Sequence, residues 1–191
     1  MIIKNRGPWA YRAFPSETPT GDFGPLASFV DVWRAKWPAY DRFPRWADFK
    51  LLDLQDWWGQ VSLAEMHANP TNLRWVLWGS KVAEWWGADY TGRYITDIPE
   101  VSEVWAKHER PYMERLINNR LIGYVSGTLA PQDRSYLYIN GVDLPLEQDG
   151  AITHFISVYR LCSVDSASTA YGEMRLSDYL SGMPPATSIN T

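Results

Sequence analysis

The sequence predicts an α+β fold, in which a five-stranded antiparallel sheet carries helices on one face and an amphipathic N-terminal helix flanks it. Two observations lead to this prediction: an apolar stripe at helical spacing that starts near residue 26, and five apolar runs bounded by turn residues. The order along the chain is two strands, several short helices and three strands. Because neighbouring strands joined by short turns must be antiparallel, we expect an antiparallel sheet.

Composition and charge narrow the class of protein. The chain has 191 residues, of which 46% are hydrophobic and 21% charged, as is typical of one folded domain. The net charge is −4 and no run of Lys or Arg forms a local basic face, so we expect no nucleic-acid partner. A single cysteine, Cys162, excludes an intramolecular disulfide and fits a reducing compartment. Signal-peptide and membrane-spanning patterns are missing, so we expect a cytoplasmic protein without a membrane partner.

The chain divides into three segments that differ in composition and in apolar periodicity. Residues 1–25 are rich in Gly and Pro without a sustained apolar period, and we expect a disordered extension that is ordered only by docking. Residues 26–162 form the predicted domain, divided into flanking helices at 26–58 and a core at 59–162. The Ser-rich residues 163–191 are interpreted as a C-terminal tail.

Two helical segments are predicted ahead of the first strand. The leading helix has one apolar face and is stopped by Pro38. In the second segment, Leu51, Leu54 and Trp58 share a face, and Asp48 is a candidate cap. The apolar face of the leading helix consists of Leu26, Phe29, Val30, Trp33 and Trp37.

The remaining elements follow from turn residues and periodicity. Strands at Val61–His67 and 73–78 surround a turn at 69–72 and predict a hairpin, and a short helix at Ser80–Trp86 is ended by Gly87. A longer helix begins near Glu100, and Pro111 is expected to end it near Arg110 and to start a new first turn. Three strands follow at 121–129, 136–146 and 151–161, the last two joined by a hairpin turn at 147–150.

A motif after the second strand resembles a known family. The stretch Arg74-x4-Gly79-Ser80-x-Val82-x4-Gly87-x-Asp89-x-Thr91-Gly92 is similar to that of bacterial stand-alone PAS proteins, and Pro44-Arg45-x2-Asp48-Phe49 resembles the segment that precedes their first strand. The resemblance covers about residues 26–161. Local chemistry gives these residues roles of their own, since glycine suits positive φ and Asp and Thr bond nearby amides in turns.

The resemblance implies a sensory or signalling module without catalysis, with a pocket between the sheet and the helices. Homodimerisation is expected, with the leading helix as cover or dimer element, and a small-molecule ligand and a downstream signalling protein are candidates for further partners. Core packing explains each aromatic candidate as well as ligand contact does, and Arg74 would pair with a carboxylate or an acidic ligand. The candidate ligand-binding residues are Arg74, Trp85, Trp86, Tyr94, Tyr124, Tyr138 and His154.

Other classes find less support in the residues. His67, His108 and His154 lie singly rather than at metal-ligand spacing, and no catalytic motif is present, so neither an enzyme nor a metal site is expected. His108 lies where some PAS proteins place a haem ligand, but it also continues an apolar stripe; Cys162 lies away from the position of a photoactive cysteine. We therefore expect neither haem nor flavin. The alternative function is a purely structural dimerisation or protein-interaction domain whose core is filled by its own side chains.

Overall fold

In a computed structural model, the structure describes residues 9–38, 42–68, 70–129 and 132–162, which form a single antiparallel sheet with helices on both of its faces. The predicted tail at 163–191 lies outside these residues. The six strands in this part of the chain have the spatial order β1-β4-β5-β6-β2-β3. They are β1 (Ala10–Pro15), β2 (Val61–His67), β3 (Asn72–Trp78), β4 (Leu121–Leu129), β5 (Arg134–Gln148) and β6 (Ala151–Cys162).

The prediction of five strands is wrong, because the N-terminal extension contributes a sixth. Strand β1 pairs antiparallel with β4, from Ala10 opposite Ser126 to Pro15 opposite Leu121. Its side chains alternate: Tyr11 is buried on one face of the sheet, whereas Phe14 packs edge-on against Phe23 on the other. Gly- and Pro-containing sequence on either side conceals this short alternation, so the sequence of the extension predicts no regular element although its middle belongs to the sheet.

The other five strands keep the predicted order of two strands, a helical segment and three strands. The last hairpin is tighter than predicted, because β5 continues to Gln148 and only Asp149 and Gly150 remain in the turn. Both have positive φ, 53° and 83°, as a two-residue type I′ turn requires. This turn matches the right-handed twist of the strands that it joins.

Four α-helices lie in the described residues, together with several 3-10 turns. One sheet face is covered by α2 (Ser80–Trp86), α3 (Pro99–Val104) and α4 (Arg110–Asn119), and the other by α1 (Ala27–Arg34). No helix in the described ranges is long and apolar enough to cross a membrane. The 3-10 turns are Thr20–Leu26, Trp46–Asp48, Leu51–Trp57 and Ile95–Asp97.

Helix α1 covers the outer face of the sheet within the same chain. Phe29, Val30 and Trp33 are fully buried, and the indole N–H of Trp33 donates to the carbonyl oxygen of Pro145 at 3.0 Å. The helix ends at Arg34, earlier than the apolar stripe suggests, and its last turn tightens into i to i+3 hydrogen bonds. The apolar face of α1 is therefore occupied by the sheet and offers little surface to a second subunit.

The second predicted helix is a 3-10 segment with a different buried face. Three residues per turn place Leu54 and Trp57 on one buried face and leave Trp58 53% exposed. Leu51, the first residue of the segment, is 69% exposed although the same spacing aligns it with that face. The prediction that Leu51, Leu54 and Trp58 share one face is therefore wrong. The predicted cap is also wrong, because Lys50 holds the N-cap position of this segment and donates its N–H to the carboxylate of Asp53 at 2.6 Å. The carboxylate of Asp48 instead accepts from the N–H of Arg45 at 2.8 Å.

A π-helical turn joins α3 to α4. The N–H of Arg110 donates to the carbonyl oxygen of Trp105 across five residues, and the turn spans Trp105–Glu109. Pro111 follows directly in the first turn of α4, where its missing N–H costs little. The chain thus passes the proline by widening one turn rather than by breaking the helix, and such widened turns are often found at functional sites.

Candidate ligand-binding cavity

A cavity of about 110 Å³ lies between the inner face of the sheet and helices α2 to α4. Ten of its 22 lining residues are aromatic, which makes its wall rigid and rich in π-electron faces. The aromatic lining consists of Trp9, Tyr11, Trp75, Trp78, Trp86, Tyr90, Trp105, Tyr112, Phe155 and Tyr159. The remaining lining is mainly aliphatic, with Glu109, Gln132, Asp143 and Ser157 as its other polar members.

Trp78 is the centre of the aromatic wall. Its ring lies 4.5 Å from that of Trp75, 5.2 Å from that of Tyr90 and 5.5 Å from that of Trp86, always tilted or edge-on. Its indole N–H donates to the carbonyl oxygen of Ala88 at 3.1 Å. Rings that prop one another edge to face cannot collapse into a flat stack, so they hold the space between them open.

The turn at residues 87–92, part of the motif described above, connects α2 to strand β3 through hydrogen bonds. The backbone N–H of Trp78 donates to the hydroxyl oxygen of Thr91 at 3.2 Å, and the N–H of Thr91 donates to the carboxylate of Asp89 at 2.8 Å. This hydrogen bonding holds the pKa of Asp89 below its ordinary value. Gly87 ends α2 with φ 80°, and Gly92, with φ 82°, donates its N–H to the carbonyl oxygen of Trp75 at 2.7 Å. The motif residues therefore do not line the cavity themselves but hold Trp75 and Trp78 of its wall in position.

Asp143 is a buried carboxyl group at the floor of the cavity. It lies on β5, is 7% exposed, and accepts hydrogen bonds from the hydroxyl groups of Tyr112 at 2.9 Å and Ser157 at 2.6 Å. Burial raises the pKa of Asp143, and the two hydrogen bonds oppose that shift. Both carboxylate oxygens are thus already engaged by hydroxyl donors.

Glu109 is the second carboxyl group, and it reaches the cavity from the π-helical turn. Its Oε1 accepts a hydrogen bond from the hydroxyl group of Tyr11 at 3.2 Å, a contact between residues 98 positions apart. Burial raises the pKa of Glu109 to about 7, and the negative charge of Asp143 adds to the shift. Burial and the nearby carboxylates also raise the pKa values of Tyr11 and Tyr159, so both phenols stay neutral donors.

The residues of the lining differ in burial, and six of them are partly exposed. Within this group, Gln132 has a buried side-chain oxygen, Oε1, with no hydrogen-bond partner among the described residues. An unpaired buried acceptor is uncommon and costly, and it is a position where a ligand can donate. The partly exposed lining residues are Trp9, Trp86, Val101, Val104, Glu109 and Gln132.

Of the seven residues that the sequence suggested for ligand contact, Trp86 lies in the cavity wall and the others lie elsewhere. Arg74 forms an ion pair with Glu65 at 3.1 Å on the edge of the sheet, and Tyr94 bridges to the backbone of Arg74. Tyr124 is buried on the opposite face of the sheet, against α1 and its neighbours. The lining also lacks Trp85, Tyr138 and His154, and the positions considered for cofactors, His108 and Cys162.

Sequence reasoning missed the polar residues of the cavity. Asp143 carries the one signal that was available, because it is a single carboxylate inside the apolar run of β5, and such a group needs a buried partner or a function. Tyr11 lies in the segment taken for an extension. Glu109 reaches the cavity through a π-helical turn, which a regular helical period does not predict.

Comparisons with known proteins do not assign the chain to a family. No family model matches the chain, and no curated protein matches it. A solved structure described as an RNA-binding light-oxygen-voltage receptor is similar to it with 16% identity and a TM-score of 0.44. The match covers 86% of this chain and 40% of that structure.

Proposed function

We propose that the chain is a PAS-type sensory module that binds a small molecule in the aromatic cavity and performs no catalysis. The cavity itself carries the proposal. Protein interiors are close-packed, so a void of about 110 Å³ bounded by interlocked rings is a feature to be explained. Two carboxyl groups inside it pay a desolvation penalty that a bound partner would offset.

The lining favours binding over catalysis. Ser157, the one aliphatic hydroxyl in the wall, donates to Asp143, and the described lining residues include no histidine that could act as its base. The two oxygens of Asp143 are already hydrogen-bonded, and Tyr112 is one of the donors. These contacts fix the shape of the site, and a signal would leave it through movement of the helices or through a protein partner.

Filling the cavity is expected to abolish ligand uptake without unfolding the protein. Ala64 is 2% exposed on β2 and lines the cavity, so Ala64→Leu places three additional carbons in the void. Wild-type protein purified from a bacterial host should show additional bound mass in native mass spectrometry or a ligand absorption band. The Ala64→Leu variant should show neither and should keep the near-UV circular dichroism of a packed core.

A matched pair of smaller changes controls for overpacking. Val125→Ile extends a side chain into the cavity from β4, whereas Val158→Ile makes the same change in the filled core behind the sheet. We expect the first to weaken uptake and the second to lower stability by about 1–3 kcal/mol without affecting uptake. Equal bound mass in wild type and in both cavity variants would count against the proposed site.

A second candidate function is self-association through an exposed apolar surface next to the core that lies between α1 and the sheet. Leu51, Leu52 and Trp58 are 69%, 73% and 53% exposed, and the indole N–H of Trp58 lies 3.4 Å from the carbonyl oxygen of Leu51. An apolar cluster of this kind is a common interface element. A second copy of the chain is the proposed occupant, as in the homodimer that the sequence suggests.

Size-exclusion chromatography with light scattering tests this surface. We expect the wild type to be a dimer at tens of micromolar and the double variant Leu51→Ser with Leu52→Ser to be a monomer, because the change removes apolar area from the contact. Leu161→Ser is the control, since Leu161 is exposed at the end of β6. A monomeric wild type, or a double variant that remains dimeric, would remove this candidate.

A further inference from the structure

The ionisable groups that line the cavity are of one sign. Glu109 and Asp143 are its carboxyl groups, and its lining, all within the described residues, contains no Lys, Arg or His. When both carboxylates are ionised, they lie in an apolar surrounding without a compensating charge, which is costly. An empty site relieves that cost by taking up protons, and a cationic ligand would relieve it by pairing.

The open hydrogen-bonding positions of the cavity are acceptors. Asp143 accepts hydrogen bonds from two hydroxyl groups, and Oε1 of Glu109 accepts one from Tyr11, so both carboxyl groups act as acceptors. The side-chain oxygen Oε1 of Gln132 is buried and has no hydrogen-bond partner among the described residues. A ligand that satisfies these positions must donate hydrogen bonds or carry positive charge.

The aromatic wall suits a weakly hydrated cation. The face of an aromatic ring carries negative charge, tryptophan most strongly, and a desolvated cation over such a face gains about 2 kcal/mol or more. Trp75, Trp78, Trp86 and Trp105 all contribute to the lining. A wall of this kind accepts alkyl groups and positive charge together, which is the combination that an alkylated ammonium group presents.

We propose that the cavity binds a small organic cation of the alkylammonium class, held by the tryptophan faces and neutralised by Glu109. This inference rests on the proposed ligand-binding function and adds the chemical class of the ligand. Its size follows from the volume, since a cavity of about 150 Å³ accepts benzene with its six carbons, and about 110 Å³ therefore fits a group on the order of five non-hydrogen atoms. Tetramethylammonium is of that size, and choline presents the same type of group, a trimethylammonium head, on a hydroxyethyl arm.

The test compares a cation with a neutral molecule of the same shape on the full chain. Choline, tetramethylammonium and 3,3-dimethylbutan-1-ol, in which carbon replaces the charged nitrogen of choline, are titrated by calorimetry and by tryptophan fluorescence. The titrations are made near pH 8, where a carboxyl group with a pKa of about 7 is ionised. We expect choline to bind at least about 10-fold more tightly than the alcohol.

A matched pair of variants tests the role of Glu109. Glu109→Gln keeps the shape of the side chain and an acceptor for Tyr11 but removes the charge, and should weaken choline binding about 10-fold without weakening that of the alcohol. Glu103→Gln removes the same charge from an exposed position on α3 and should leave both affinities unchanged. If Glu109→Gln fails to fold, the comparison of the probes on the wild type still decides the class.

The outcomes separate the two proposals. Equal binding of choline and the alcohol would overturn the cation assignment and support a ligand-binding cavity. The same conclusion would follow if neither probe bound and the purified protein carried a neutral or anionic molecule. Binding of neither probe by a protein that carries no bound mass would overturn both. Tighter binding of the cations, lost in Glu109→Gln alone, would support both.

Discussion

Replacement of Trp33 by alanine is expected to lower the free energy of unfolding by about 3–5 kcal/mol. Trp33 is fully buried in α1, and its ring lies 5.1 Å from that of Trp37 and 5.3 Å from that of Phe43. The substitution leaves a cavity between the helix and the sheet, and it also deprives the carbonyl oxygen of Pro145 of its indole donor. A domain of this size is stable by about 5–15 kcal/mol, so a large part of the total is lost.

Urea denaturation followed by circular dichroism measures this loss. Trp46→Ala removes the same side chain from a position that is 38% exposed, and should change the free energy of unfolding by only about 1 kcal/mol. Similar effects of the two variants would mean that α1 is not docked on the sheet in solution. Retention of ligand binding by Trp33→Ala under native conditions would show that the outer layer supports the fold without shaping the cavity on the other face.

The elements that the sequence predicted well are those whose signals are local. Helix α2 begins and ends where Ser80 and Gly87 indicate, because the αL conformation of a helix C-terminus is a property of a few neighbouring residues. The hairpin of β5 and β6 follows from Asp149 and Gly150 for the same reason. Strand β1 has no such signal, since it is formed only by pairing with β4, more than a hundred residues along the chain.

The cavity depends on the face to which each strand residue points, and the sequence does not settle that face. Tyr124 and Val125 are neighbours on β4, yet Tyr124 packs behind the sheet and Val125 lines the cavity. A shift of one residue in register exchanges the two faces, and β2 itself shifts register against β3 between Leu63 and Ala64. Aromatic residues could therefore be recognised as core residues from the sequence, but their assignment to the cavity required the structure.

The hydrogen bonds between the polar residues of the cavity also join residues that are far apart in the sequence. Tyr11 and Glu109 are 98 residues apart and Tyr112 and Asp143 are 31 apart, so each hydrogen bond joins elements whose proximity exists only in the folded chain. The strand from the supposed extension closes this network by bringing Tyr11 to Glu109. The extension is thus expected to influence ligand binding as well as stability, because it supplies one of the donors that hold the carboxyl group in place.

Replacement of Gly79 by alanine is expected to lower the free energy of unfolding by about 3 kcal/mol. Gly79 lies between β3 and α2, and a Cβ atom there would lie 2.4 Å from the carbonyl oxygen of Gly59 and 2.6 Å from that of Val61. Both atoms are backbone, and neither can rotate away. They are also held in place, because the N–H groups of Gly79 and Lys81 donate to Val61 and Gly59 at 3.0 and 2.8 Å.

The expected damage extends from the glycine to the cavity. Any shift that relieves the contact must move the start of α2 away from β2, and α2 carries Trp86 in the cavity wall. Gly79→Ala should therefore lower the urea midpoint and also weaken ligand binding in whatever folded protein remains. Gly21→Ala is the matched control, since no atom lies within 4 Å of its Cβ position and its φ is not positive, and it should leave stability unchanged or raise it by about 0.5 kcal/mol. If Gly79→Ala were as stable as Gly21→Ala, the close approach of α2 to the beginning of β2 would not exist in solution, and the glycine of the motif would have to be explained by the ligand instead.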